Sequence, residues 1–390
     1  MKNVKTFIQS LYNQDGSFSF APTNRISNLY STCFGVMALD LIRGINQIDT
    51  QKTTNFIKKH QDKKTGYFID KNCIPKDNAT HNIDYIKLQL TDFAQMALSV
   101  LNNMPNYDYY FLERYKNKDY LKKWFYNLNW KDPWLTSNII MFILNCMIYE
   151  DEKNNKDYIY FIIELLNKNQ NTKTGFWNLD NKVLLHNQMA GAYHFLLFYT
   201  YLNKKPNYVQ KIINSTLSVQ DYDGLFNYAG GGGSCDDLDA IDLLCRSTFY
   251  FSYRKKDIKK ALIKSYKPLM GNQNKDGGFC WAKRDFLTIN KFIYSFNPLL
   301  IFKVSFKDFL SNGKSKIFNQ LKVILNKDIC WEYSSLESMK IKCNESDIWS
   351  TWFRLSAIAL IEETFPEICD YKKSFNWKMR KKCGLGFYKK

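Results

Sequence analysis

The sequence predicts an all-α protein folded as a double-layered (α/α) toroid. Two observations carry this. A Gly-aromatic signature returns about every fifty residues, and between its copies a buried-type helix alternates with an amphipathic one. The signature reads Gln14-Asp15-Gly16-Ser17-Phe18, then Gln61 with Gly66-Tyr67-Phe68, then Gln170 with Gly175-Phe176-Trp177. It continues as Gln220 with Asp223-Gly224-Leu225-Phe226, and as Gln273 with Asp276-Gly277-Gly278-Phe279-Cys280-Trp281. The slot near residue 120 is degenerate. Beyond Gly277 one slot falls near Trp331 and the next on Gly386-Phe387-Tyr388.

Each part of the signature has a physical job. Asp-Gly or Thr-Gly makes a tight turn, because glycine takes a positive φ without steric cost. The aromatic buries a large apolar area against the next repeat. The Gln amide pairs with backbone groups left open at a helix end. Phe18, Phe68, Trp177, Phe226 and Phe279 are therefore expected as glue between hairpins, outside the active site.

Five segments carry few charges and read as buried helices: Thr32–Ile42, Leu90–Leu101, Ser137–Tyr149, Gln188–Leu202 and Asp347–Ile361. The more polar Thr53–His60, Tyr158–Asn167, Tyr208–Val219 and Ile258–Met270 read as their amphipathic partners. No sustained two-residue alternation signals a sheet. The repeat crosses every candidate boundary, so residues 1–390 are expected to form one domain. Six to seven hairpins then close into a ring, with Gly16 and Gly386 as neighbours.

Net charge is +18, and most of the 55 Lys and Arg are lysines scattered over surface positions apart from Lys378–Lys382. With abundant Asn, Ile and Tyr, this is the composition of an AT-rich, bacterial-type genome. Nucleic-acid motifs are absent. The ten cysteines form no Cys-x-x-Cys pair, and several sit in apolar helices, as free thiols in a reducing cytoplasm do. No signal peptide or membrane-spanning stretch is visible, so at most peripheral membrane contact is expected.

The unusual constellation runs from Tyr228 to Asp242. Four glycines, Gly230 to Gly233, lead into Ser234-Cys235-Asp236-Asp237-Leu238-Asp239-Ala240-Ile241-Asp242. Helix capping and the helix dipole account for one or two of these carboxylates, not four in seven residues. Like charges at the mouth of a cavity raise at least one pKa, which marks functional groups. Three chemistries use such a cluster: a protonated Asp as general acid, Asp pairs holding Mg²⁺ against a diphosphate, or Cys235 with an Asp holding zinc. The matching turns of the other buried helices supply further candidates. They are Ser31 and Thr32, Thr91 and Asp92, Ser137 and Asn138, Gln188 and His194, and Ser350, Trp352 and Arg354. Arg354, in an apolar helix, needs a carboxylate from Glu345, Asp347 or the Asp cluster, or an anionic ligand.

The string Gln273 to Trp281 resembles the aromatic repeat of squalene–hopene cyclases and of protein prenyltransferase β subunits. The resemblance covers nearly the whole chain and implies an (α/α)6 toroid whose inner helices line a central cavity. Class II cyclases protonate substrate from an Asp-x-Asp-Asp motif at the head of an inner helix. Here Ser234-Cys235-Asp236-Asp237 and Asp237-Leu238-Asp239-Ala240 are both partial matches at a similar place. Prenyltransferase β subunits hold zinc through Asp, Cys and a downstream His. The last His here, His194, lies upstream of Cys235, so that zinc set is not expected.

These readings converge on a terpenoid-cyclase or prenyltransferase-like enzyme acting on an isoprenoid ligand. Asp236, Asp237, Asp239 and His194 are the candidate catalytic groups. Asp92, Gln188, Asp242, Trp352 and Arg354 are the candidate substrate contacts. No cofactor is implied with certainty, and Mg²⁺ is the one left open. The alternatives are a carbohydrate-active toroid that lyses, hydrolyses or epimerises an acidic glycan, and a toroid that binds a lipid or glycan without chemistry.

Overall fold

The computed structural model describes residues 3–77, 79–179, 183–221, 223–227, 231–283, 330–342, 344–369, 375–376 and 383–387. The fold is an α/α toroid. Its inner ring consists of α2 (Leu29–Leu41), α4 (Ile83–Val100), the first half of α6 (Pro133–Lys168), α7 (Leu185–Tyr201), α9 (Ser234–Ser247) and α11 (Ile348–Thr364). Each packs on the next in that order, and α11 returns to pack on α2. The outer layer holds α1 (Val4–Ser10), α3 (Thr50–Lys58), α5 (Lys118–Asn127), the second half of α6, α8 (Val209–Ser218) and α10 (Lys255–Gly271).

The division follows sequence. Every residue of α2 is buried, whereas α3 buries only Thr53, Thr54, Phe56 and Ile57. Most inner helices start on a side-chain cap: Asn28, Asn82, Asp132 and Asp347 each accept a first-turn backbone N–H. α6 is two helices joined without a loop. Asp151 breaks the helical geometry at φ −162° and ψ 89°, where the apolar inner half gives way to a charged outer half.

The repeated turns hold the outer layer together. Gly16, Gly66, Gly175, Gly224 and Gly277 take φ from +77° to +97°. A Cβ at Gly16, Gly175 or Gly224 would overlap the backbone of α3, α8 or α10. One at Gly277 would overlap Asn3, just ahead of α1, so the last of these turns packs on the first outer helix. The Gln side chain ties each turn. Nε2 of Gln61, Gln170, Gln220 and Gln273 donates to the carbonyl of the turn glycine at 2.7–3.1 Å. Phe18, Phe68, Trp177, Phe226 and Phe279 are fully buried. At the degenerate slot Trp130 stands in for them, buried, with its indole N–H on Phe125 carbonyl at 2.9 Å.

One expectation fails. Gly386 is not a neighbour of Gly16. Its backbone lies against the Trp352 ring, and Gly384 lies against Met96. The segment 383–387, with Cys383, Leu385 and Phe387 buried, packs on inner helices instead of forming another outer turn. Tyr388 and Lys378–Lys382 lie outside the described residues, as does the Trp331 side chain. Two small hairpins complete the fold: β1 (Phe18–Ser19) with β2 (Ser27–Asn28), and β3 (Cys330–Glu332) with β4 (Lys340–Lys342). Cys33, Cys73, Cys146, Cys235, Cys245, Cys280, Cys369 and Cys383 are buried and form no disulfide among the described residues. Among the described residues no helix is long and apolar enough to cross a membrane.

Candidate active site

α9 starts differently from its neighbours. Its N-cap, Gly233, is extended at φ −154° and has no side chain to offer. Instead, the Gly233 N–H donates back to Asp237 Oδ2 in the first turn at 3.2 Å. The glycine run makes this possible. A Cβ at Gly233 would collide with the Asp236 carboxyl, and Gly232, at φ +73°, leaves no room for one beside Leu225 and Asp237.

Asp237 holds a position that belongs to the repeat. In α2, α4 and α11 a threonine hydroxyl, from Thr32, Thr91 and Thr351, accepts the N–H of Phe18, Phe68 and Phe279 at 2.9–3.1 Å. In α9 the Phe226 N–H goes to Asp237 Oδ1 at 2.7 Å. A carboxylate has replaced a hydroxyl, and the extra charge is met from α11. Arg354 pairs with Asp237 Oδ2 in a fully buried ion pair and gives Nη2 to the Trp281 carbonyl. The partner that the sequence demanded for Arg354 is thus Asp237, not Glu345 or Asp347.

The four carboxylates of α9 divide into two classes. Asp237 is paired with Arg354, and Asp242 is chelated by Arg246 at 2.5 and 2.6 Å. Asp236 and Asp239 make no ion pair among the described residues. Asp236 is half-buried and accepts from Asn227 Nδ2 at 2.9 Å. Burial pushes its pKa up to about 6, assisted by Asp237 and opposed by the Asn227 bond and the nearby Arg354 charge. Asp239 is 1% exposed, and its Oδ2 has no hydrogen-bond partner. Burial, then the neighbouring Asp236, Asp242 and Asp237, hold its pKa well above the ordinary carboxyl range. Burial and the neighbouring carboxyls both favour the protonated form of Asp239.

This face of α9 looks into the ring. Cys235 interacts electrostatically with Tyr85 of α4 and with Tyr333 of the β3–β4 hairpin, neither on an adjacent helix. Asp239 lies one turn further along the same face. The interior is lined with aromatic rings. Phe34 of α2 meets Trp349 of α11 at 4.5 Å and Phe93 of α4 at 5.0 Å. Phe93 also meets Trp349 at 6.0 Å although α2 separates their helices in the ring. Trp352 and Phe353 join this cluster, and Tyr333 closes over Trp349 at 4.9 Å.

The other candidates are not gathered at the carboxylates. Asp92 lies between α4 and α6, accepting from Gln95 at 2.8 Å and Asn145 at 3.2 Å, its pKa pushed by burial up to about 7. Gln188 closes the turn before α7, donating to the Val183 carbonyl at 2.8 Å. His194 sits 2.8 Å from Ser137 Oγ across the α6–α7 contact, and burial lowers its pKa to about 3, so the ring is neutral. Two residues were missed. Arg246 is announced by its i, i+4 spacing from Asp242, and Tyr193, fully buried, interacts electrostatically with Asp242 and Asp239. Among the described residues no group of three or more His, Cys, Asp or Glu is arranged to hold a metal ion.

The profile of the prenyltransferase alpha-alpha toroid domain matches residues 1–150 and 109–285. No curated protein sequence matches the chain. Among solved structures the chain is similar to a variant of the type II terpene cyclase MstE from Scytonema in complex with geranylgeranyl dihydroxybenzoate. Identity is 12%, coverage is 93% of this chain and 96% of that one, and the TM-score is 0.48. The apo MstE structure matches at 12% identity over 93% and 97% of the two chains, with a TM-score of 0.46.

Proposed function

Since the chain belongs to the prenyltransferase alpha-alpha toroid family, we propose that it is a terpenoid-cyclase-like enzyme in which Asp239 protonates an isoprenoid held inside the ring. The observation that carries the proposal is the Asp239 carboxyl: fully buried, one oxygen unpartnered, and crowded by three other carboxyls. The two arginines matter here by where they are not. Burial raises the pKa of Asp237 and Asp242 too, but Arg354 and Arg246 oppose it there by direct ion pairs that Asp239 and Asp236 lack.

The chemistry balances simply. The Asp239 O–H proton goes to an alkene carbon, the π electrons form the new C–H bond, and a tertiary cation results beside the carboxylate. Cyclisation follows as further double bonds attack that cation, and loss of a proton or capture of water ends it. Aromatic faces such as Phe34, Phe93, Trp349 and Trp352 stabilise a passing cation through their quadrupoles and exclude water that would quench it. Asp236, half-buried and near pH 6 in its titration, is the group through which Asp239 regains a proton from solvent.

An aromatic and aliphatic lining favours an isoprenoid over an acidic glycan, whose carboxylates would need unpaired cations. Residues 1–390 acting as one domain is part of the same proposal. The test is incubation of wild type and Asp239→Asn with linear isoprenoids of graded length, with products read by gas chromatography and mass spectrometry. Cyclised product from wild type alone supports the proposal. Equal product from both, or none with any isoprenoid, overturns it.

A further inference from the structure

Of the buried donors on the inner helices that lack a partner among the described residues, two lie by the carboxylates of α9 and have no task in the reaction just described. Arg246 uses Nε and Nη2 on Asp242, and Nη2 also donates to the Phe387 carbonyl at 2.6 Å. Its Nη1 makes no hydrogen bond among the described residues, although the side chain is fully buried. The Tyr193 hydroxyl, equally buried, lies by the Gly386 backbone N–H and has no acceptor for its own proton among the described residues. Tyr193 interacts electrostatically with both Arg246 and Asp239, so the two unused donors and the candidate acid share one region between α7 and α9. A buried donor left unpaired is costly, which makes such a pair a demand for an acceptor.

We infer that Arg246 and Tyr193 form a polar subsite for the oxygen-bearing end of the isoprenoid, and that this oxygen belongs to a hydroxyl or carbonyl group and not to a diphosphate. The inference rests on the isoprenoid reading above. Charge decides the class. Arg246 is neutralised by Asp242 and Arg354 by Asp237, so the two buried arginines present no net positive charge. A diphosphate would meet two ion pairs in which each arginine charge is already spent. A neutral oxygen needs only donors. The molecule already displays the accepted ligand type, because the acceptor seated on Arg246 is the peptide carbonyl of Phe387. That carbonyl belongs to segment 383–387, which packs on Trp352 and Met96 and floors the subsite.

The test measures binding of geranylgeraniol, geranylgeranyl diphosphate and the matching polyene hydrocarbon, each with and without MgCl₂, by quenching of tryptophan fluorescence. The proteins are wild type, Tyr193→Phe, and the double variant Asp242→Asn with Arg246→Met, which leaves no lone buried charge. Wild type is expected to bind the alcohol at least about tenfold more tightly than the diphosphate. Tyr193→Phe should weaken the alcohol by up to about tenfold and leave the hydrocarbon unchanged, and the double variant should do the same. Tighter binding of the diphosphate overturns the inference while leaving the isoprenoid reading intact, as does equal weakening of alcohol and hydrocarbon. Failure of all three to bind wild type overturns both.

Discussion

Removing both members of the Asp237–Arg354 pair should destabilise the protein far less than removing either one. Arg354→Met leaves Asp237 buried with its counter-charge gone, and Asp237→Thr leaves Arg354 buried with none. Breaking a buried pair in this way costs about 3–5 kcal/mol. The double variant Asp237→Thr with Arg354→Met has no buried charge at this place. Its threonine restores the acceptor that Thr32, Thr91 and Thr351 provide to the repeat aromatic in three other inner helices. What it loses is the Arg354 bond to the Trp281 carbonyl and the Gly233 bond to Asp237, a cost of about 1–3 kcal/mol for the two. Urea denaturation of the four proteins gives the cycle, provided the slopes agree. A double variant as unstable as the two singles combined would refute the idea that Asp237 is a charged substitute at a threonine position.

Other outcomes follow from the same structure. Trp177→Ala should cost about 3–5 kcal/mol, since Trp177 is fully buried and donates to the Leu166 carbonyl at 3.1 Å; calorimetry reads the loss. Asp92 ionises near pH 7 in the folded chain against an ordinary 3.8. Stability held below pH 4 is therefore lost as pH rises through 7, and Asp92→Asn should gain roughly 2–3 kcal/mol on wild type between pH 5 and pH 8. Parallel pH profiles of the two proteins would contradict this. Gly277→Ala should lower the melting temperature markedly, because a Cβ there meets Asn3 where the outer layer closes, at a φ of +97°. A melting temperature equal to that of wild type would contradict the closure.

The fold was legible because one physical unit recurs. The glycine, the aromatic and the Gln each have a local reason, and the five apolar helices need burial on nearly every side. What escaped the sequence was placement by distance. Gly386 fits the signature's phase, yet it serves the interior, since its role is set by Trp352 and not by an outer helix. The degenerate slot kept its aromatic as Trp130 and lost only the glycine turn. At the candidate site the acidic run was visible, but its division was not. Asp236, Asp237, Asp239 and Asp242 look alike in sequence. Arg354, which is 117 residues from Asp237, and Arg246, one helical turn from Asp242, separate the paired from the unpaired. Asp92 and His194 were expected in first turns but lie in mid-helix, because α4 and α7 begin several residues earlier, and like Gln188 they bond to their own helix or an adjoining element.

The measurement that bears most directly on the account is single-turnover product formation by Asp239→Asn beside Asp237→Asn, with ligand binding measured on the same samples. Asp239→Asn removes the acid and keeps the shape. It should bind isoprenoid as wild type does and form no cyclic product, a loss of at least about a hundredfold for a general acid. Cyclisation by Asp239→Asn at the wild-type rate would contradict the account.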